Sequence, residues 1–175
     1  MFPGFRQEPV PWVCPCTTGL QKVVFYIYSC LNCRMALKFP PAIGLVVICN
    51  YDTGFKPPEM VKRRLAVVVS ERLPYRDGLC TVVPLSTTPS RSGIRYQCKV
   101  ELPVDLPDTF SGAVKWAKAD MLATLSYERM SLPFDGRSGT GRRRYLQIRL
   151  PPAELRKIQS AMLHALSLEH LTKGG

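Results

Sequence analysis

Gly44-Leu-Val-Val-Ile-Cys49, then Asn50-Tyr-Asp-Thr-Gly54, then Phe55-Lys-Pro-Pro-Glu-Met-Val-Lys-Arg-Arg64, then Leu65-Ala-Val-Val-Val-Ser70: this run decides the fold. Its β-branched stretches are bounded by Gly, Pro, Asn and Asp, which is how short strands separated by loops read. A turn at Tyr75-Arg-Asp-Gly78 leads to a third apolar run, Leu79-Cys-Thr-Val-Val-Pro84, which ends in Leu85-Ser-Thr-Thr-Pro89. The order is strand, long basic loop, strand, turn, strand. Its polar residues fall where strands meet loops.

Outward from that core the signals weaken. Pro89-Ser-Arg-Ser-Gly93 is a loop by composition. Tyr96-Gln-Cys-Lys-Val-Glu-Leu102 alternates apolar and polar residues and predicts a half-buried strand. Pro103, Pro107 and Asp108 break the chain. Residues 113–119 are expected to be a strand with Val114, Trp116 and Lys118 facing outward, although the composition of 113–130 favours a helix. Residues 121–129 stay unassigned. Arg137-Ser-Gly-Thr-Gly-Arg-Arg-Arg-Tyr145 reads as a flexible basic loop, and its G-x-G lacks the flanking strand and helix of a phosphate-binding loop. After Pro151-Pro152, tolerated at a helix start, Leu155, Ile158, Met162, Ala165 and Leu166 recur at helical spacing.

The 175 residues fit one domain by size, and a 46% apolar fraction argues against disorder throughout. The net charge of +11 favours a polyanionic partner. No apolar run approaches the roughly 20 residues of a membrane span, and no secretory signal is recognisable, so a cytoplasmic protein without a membrane partner is expected. Of seven cysteines, Cys49, Cys80 and Cys98 lie in strand candidates and read as small buried hydrophobes. Cys14, Cys16, Cys30 and Cys33 would offer four thiolates, but one residue between the first two is less than the usual zinc spacing. We expect no metal and no cofactor. Residues 1–34 read as an N-terminal extension, poorly ordered, ahead of a domain at 35–175.

The only histidines, His164 and His170, fall in or after the C-terminal helix, away from the loop-and-strand region. No carboxylate cluster of the D-x-D kind stands out for two-metal chemistry. Any phosphodiester cleavage by such a chain would have to rest on arginine, hydroxyl and carboxylate groups. RNA carries its own nucleophile, the 2′-hydroxyl. A guanidinium matches phosphate oxygens in pairs and stays charged.

The order Gly44-apolar run, Asp loop, Glu59-x4-Arg64-x-Ala66-Val-Val-x-Ser70, then Val82-Val-Pro and a Ser/Thr run resembles the MazF/PemK family of toxin endoribonucleases. The resemblance spans roughly residues 40–170. It implies a mainly β, α+β fold: a small SH3-like barrel or twisted antiparallel sheet with a C-terminal helix packed on it. It implies a metal-independent cut in single-stranded RNA by 2′-hydroxyl attack, leaving a 2′,3′-cyclic phosphate and a 5′-hydroxyl. By position, Arg64 matches the arginine at the head of the second strand, which contacts the scissile phosphate. Ser86 falls on the catalytic threonine, with Thr87 one residue away. Glu59 matches an acidic loop residue, and Lys118 with Asp120 match an Arg-x-Asp pair. Lys56, Lys62, Arg63 and Lys118 would then contact RNA. Leu65 replaces a usual proline, and Lys118 loses the bidentate fork.

Each residue also has a plain structural explanation. Arg64 could be the edge of a solvated basic run, and Ser86-Thr87-Thr88 could cap a strand end. Glu59 could balance Lys62 and Arg63, and Asp120 could end a strand. The alternative to an enzyme is a non-catalytic RNA- or protein-binding module on the same barrel. The resemblance further implies a homodimer and a small acidic antitoxin protein as partner.

Overall fold

A computed structural model describes residues 36–52, 54–106 and 108–172. The N-terminal extension and its four cysteines lie outside the described residues. The described chain is an antiparallel sheet with one long helix. Its strands are β1 (Val46–Cys49), β2 (Arg64–Val68), β3 (Leu79–Ser86), β4 (Gln97–Glu101), β5 (Val114–Lys118), β6 (Ala123–Ser126) and β7 (Met130–Ser131). A hairpin of β8 (Phe134–Arg137) and β9 (Arg143–Tyr145) precedes helix α1 (Pro152–Ala165).

The sheet order is β4-β5-β3-β2-β1-β7, with β6 also pairing β3. The sheet is open, ending at β4 and β7, and it has the mainly β architecture with a C-terminal helix that the sequence led us to expect. β3 is the hub. One edge pairs β2, and the other pairs first β6 and then β5. A strand with neighbours on both edges and cover on both faces needs apolar side chains pointing both ways. That is why the first three runs are almost continuously apolar rather than alternating.

The two faces bury separate clusters. Val46, Ile48, Leu65, Val67, Val83, Leu85 and Ala117 face Ile158 and Ala161 of α1. Val47, Cys49, Ala66, Val68, Val82 and Cys80 pack with Tyr51, Leu125 and Met130 on the other side. Gly44 sits at the turn into β1 with φ +81, where a side chain would be strained and would approach Leu155 of the helix. α1 is tied to the sheet edge where the Glu154 carboxylate accepts the Glu101 N–H at 3.0 Å.

Several local expectations change. Leu166 is 51% exposed, and Ala161 takes its place on the buried helix face, because the helix ends at Ala165 before Leu166 can turn inward. Residues 121–129 form a one-turn helix, β6 and another one-turn helix. The basic stretch at 137–145 belongs to a paired hairpin rather than a loop. Between Leu146 and Leu150 the chain bonds to Pro133 and to the start of β1 through Ile148 and Leu150, with a bridge from Leu45 to Arg149.

Candidate active site

The register of β2 on β3 pairs Ala66 with Pro84, Val67 with Val83 and Val68 with Val82. Carried two residues further, it sets Arg64, the first residue of β2, opposite Ser86, the last of β3. Opposed residues in an antiparallel pair share a face. Ser86 in turn pairs with Trp116 of β5. Arg64, Ser86 and Trp116 thus form a line across three strands on the face away from the helix. Arg64 is half-buried, and its Nε is buried without a hydrogen-bond partner. Its neighbour Tyr51 is fully buried, and burial pushes the Tyr51 hydroxyl far above its ordinary value.

Ser86 is buried, and its hydroxyl accepts the Thr88 N–H at 3.1 Å. That bond caps the strand end as the plain explanation required. It leaves the Ser86 O–H free to donate, since accepting a backbone N–H uses only one lone pair of the oxygen.

Thr87 points the other way. It lines a cleft of about 300 Å³ with Lys62, Arg63, Arg64, Leu65, Leu85, Thr109, Phe110 and Lys115. No carboxylate is among those lining residues. Lys115 was not anticipated from the sequence, where it is one lysine between Val114 and Trp116. It is only 2% exposed, and its Nζ donates to the Ser111 carbonyl at 2.6 Å. Burial depresses its basicity, opposed by Asp105. A signal was available: it occupies the inward phase of the strand whose outward phase is Val114, Trp116 and Lys118, so a charged residue stood at a core position.

The remaining predicted residues lie apart from this cleft. The Glu59 carboxylate accepts the Lys56 N–H at 2.7 Å, so both belong to one exposed turn of the basic loop. Lys118 donates to Gln97 Oε1 at 2.7 Å, and the same amide donates to both oxygens of Asp120 at 3.1 and 3.2 Å. Gln97, directly opposite Lys118 in the β4–β5 ladder, therefore bridges the lysine and the aspartate. This clamp lies beside the Trp116 end of the Arg64–Ser86 line. Among the described residues no group of three or more His, Cys, Asp or Glu side chains could hold a metal ion. Burial pushes the Cys49 thiol up to about 12 and those of Cys80 and the half-buried Cys98 to about 11, so Cys49 and Cys80 are the buried hydrophobes expected and Cys98 is only partly so. No helix among the described residues is long and apolar enough to cross a membrane.

Comparison with known proteins gives a family match, two uncharacterised relatives and a shared fold. The family model described as PemK-like, MazF-like toxin of type II toxin–antitoxin system matches residues 43–166. The uncharacterised Escherichia coli protein YifN is 30% identical over 151 residues, covering 76% of this chain and 96% of its own. An uncharacterised Haemophilus influenzae protein is 28% identical over 142 residues, covering 75% and 93%. The crystal structure of MazF from Deinococcus radiodurans superposes with a TM-score of 0.50 at 22% identity, covering 74% of this chain and 99% of that one.

Proposed function

The chain belongs to the family of PemK-like, MazF-like toxins of type II toxin–antitoxin systems, and from that premise we propose that it is an endoribonuclease cutting single-stranded RNA. The observation that carries the proposal is that Arg64 begins β2 and Ser86 ends the neighbouring strand β3, with Arg64 lining a cation-rich cleft. The net charge of +11 draws a polyanion toward it.

In the proposed reaction the Asp120 carboxylate takes the proton of the RNA 2′-hydroxyl. Glu59 is the other candidate base, but its carboxylate is engaged in capping its own turn. The 2′-oxygen attacks the adjacent phosphorus, and a 2′,3′-cyclic phosphate forms as the P–O5′ bond breaks. The 5′-oxygen leaves as a hydroxyl after taking up a proton from solvent water, and the Asp120 proton passes to solvent. Arg64 stabilises the charge that builds on the phosphoryl oxygens, where a preorganised cation counts most. The Ser86 O–H donates to the same group and holds it in line. Every step uses side chains or the substrate's own hydroxyl, so cleavage should survive chelation. Purified protein with a long unstructured RNA and excess chelator should yield fragments ending in cyclic phosphate and 5′-hydroxyl. Cleavage that requires added Mg²⁺, or none at all, overturns the mechanism.

One observation favours the second reading, a non-catalytic binding module. Both candidate carboxylates, Glu59 and Asp120, already accept hydrogen bonds from the protein itself. Induced expression separates the two, because catalysis arrests growth and passive binding does not. We further propose a homodimer, cytoplasmic, neutralised by a small acidic antitoxin whose charge complements the basic surface. A monomer by light scattering at micromolar concentration counts against the dimer.

A further inference from the structure

We propose that the β8–β9 hairpin is a second contact for single-stranded RNA, gripping backbone phosphates beyond those held at the arginine cleft. The inference rests on the reading of the polyanion as RNA. It adds to that reading a footprint and a surface that the reaction itself does not use.

Residues 134–145 carry Arg137, Arg142, Arg143 and Arg144 against one acid, Asp135. The hairpin is built to present that charge. Phe134 pairs with Tyr145 at its base, and the Arg143 guanidinium lies 5.1 Å over the Phe134 ring. Arg144 is held by an ion pair with Asp135. The tip closes through Ser138 N–H to the Arg142 carbonyl at 2.7 Å and Gly141 N–H to the Ser138 carbonyl at 2.8 Å. Arg137 and Arg143 are direct cross-strand partners. Two like charges set opposite each other destabilise a ladder by themselves. A two-stranded hairpin is marginal to begin with. An arrangement that places arginine against arginine is favoured when a chain of phosphates lies along it.

Position supplies the second argument. Phe134 and Pro133 line a pocket of about 130 Å³ together with Arg63, Thr109 and Phe110. Those last three residues also line the cleft that holds Arg64, Thr87 and Lys115. The base of the hairpin thus adjoins the cleft through shared walls. An RNA strand leaving the cleft along Arg63 meets Phe134 and then the arginines. The partner is a flexible phosphate backbone rather than a folded acidic face, because one such strand can reach both the cleft and the adjoining hairpin.

The test uses the full chain and binding probes that cannot be cut: a 2′-O-methyl RNA dodecamer and a trinucleotide of the same chemistry. Arg137→Gln and Arg142→Gln are combined, leaving Arg143 on its ring and Arg144 on its aspartate. Loss of two phosphate contacts should lower the slope of log affinity against log salt by about 1.4, since each single-strand contact contributes about 0.7. Dodecamer affinity should weaken about tenfold near 0.1 M salt, with trinucleotide affinity and the circular dichroism spectrum unchanged. An unchanged dodecamer slope overturns the proposal, as does equal weakening of both probes. Unchanged RNA binding with weakened capture of a polyglutamate peptide also overturns it, in favour of an acidic protein partner. Wild-type protein that binds with the expected slope and never cleaves RNA defeats the enzyme reading and leaves the hairpin proposal standing.

Discussion

Ser86 and Thr87 are neighbours in the chain and face opposite ways, with Arg64 reaching both. Ser86 ends β3 on the face away from α1, opposite Arg64 and beside Trp116, with its oxygen bonded to the Thr88 N–H. Thr87 is exposed and lines the helix-side cleft with Arg63 and the buried Lys115. Side chains alternate along a strand, so a one-residue ambiguity in a motif is a choice between faces. Here it is also a choice between two environments. One face pairs a half-buried guanidinium with a serine already set to donate. The other crowds cations around open volume. We propose transition-state chemistry for Arg64 and Ser86 and grip on the RNA backbone for the remaining cations of the cleft that Arg64 also lines.

The largest expected effect tests the first half of that assignment. Arg64→Ala should lower kcat for RNA cleavage by roughly 10²–10³-fold, the usual cost of removing one preorganised donor at a developing charge. Arg63→Ala, one residue away, should act mainly on KM. Equal losses of kcat in the two variants would erase the distinction between the faces. Asp120→Asn should cost about 10²-fold in kcat, the scale of a general base. Its amide keeps a contact with Gln97, so the fold should hold, and a fall of less than threefold would remove Asp120 from the chemistry.

The hydroxyls give the sharpest contrast at smaller size. Ser86→Ala should reduce kcat about 30-fold, as loss of a hydrogen bond to a charged group does, whereas Thr87→Val should raise KM about threefold with kcat unchanged. The reverse result moves the catalytic hydroxyl to the cleft.

What the sequence could say follows from which interactions are local. The strands β1 to β3 and helix α1 were legible because their apolar runs and spacing are properties of short segments. The order Glu59, Arg64, Ser86, Lys118, Asp120 was legible too, yet the folded chain distributes these residues among a turn, a cross-strand pair and an amide clamp. That distribution depends on register and on Gln97, which nothing local marks. Lys115 escaped although the outward set Val114, Trp116 and Lys118 already left it facing inward; only β4 and β3 on either side show how deeply it is buried. The hairpin escaped because its signals, Gly136 and Gly141 at positive φ, sit in a stretch whose composition is that of a loop.

Lys115→Met sharpens the cleft half of the comparison. It should weaken RNA binding about tenfold, the worth of one buried charged contact to phosphate. Its effect on stability carries the opposite sign. Burial depresses Lys115 in the folded state, so the cost of burying its charge is present below the folded pKa and is relieved as pH rises toward the unfolded value of 10.5. The Met variant should therefore melt no lower than wild type near pH 7, and wild type should gain on it as pH climbs. RNA affinity of the wild type should fall over the same alkaline range, with no matching fall in the variant. A variant much less stable at neutral pH would show that Lys115 is a structural tie to the Ser111 carbonyl rather than part of the cleft's chemistry.

Glu59→Gln should have the smallest effect. The Glu59 carboxylate accepts the Lys56 N–H within a single exposed turn, the kind of local bond that holds a loop in shape. Glutamine keeps an oxygen for that bond, so kcat should stay within about twofold and stability should change by less than about 0.5 kcal/mol, as for a surface substitution. Single-turnover cleavage beside Asp120→Asn is the measurement, since it reads the chemical step without product release. A 10²-fold loss for Glu59→Gln, with Asp120→Asn near wild type, would mean that the loop carrying Lys62 and Arg63 closes on bound RNA and brings Glu59 to the 2′-hydroxyl. The base would then come from the most exposed part of the site, and the two-face division would hold only for the RNA-free protein.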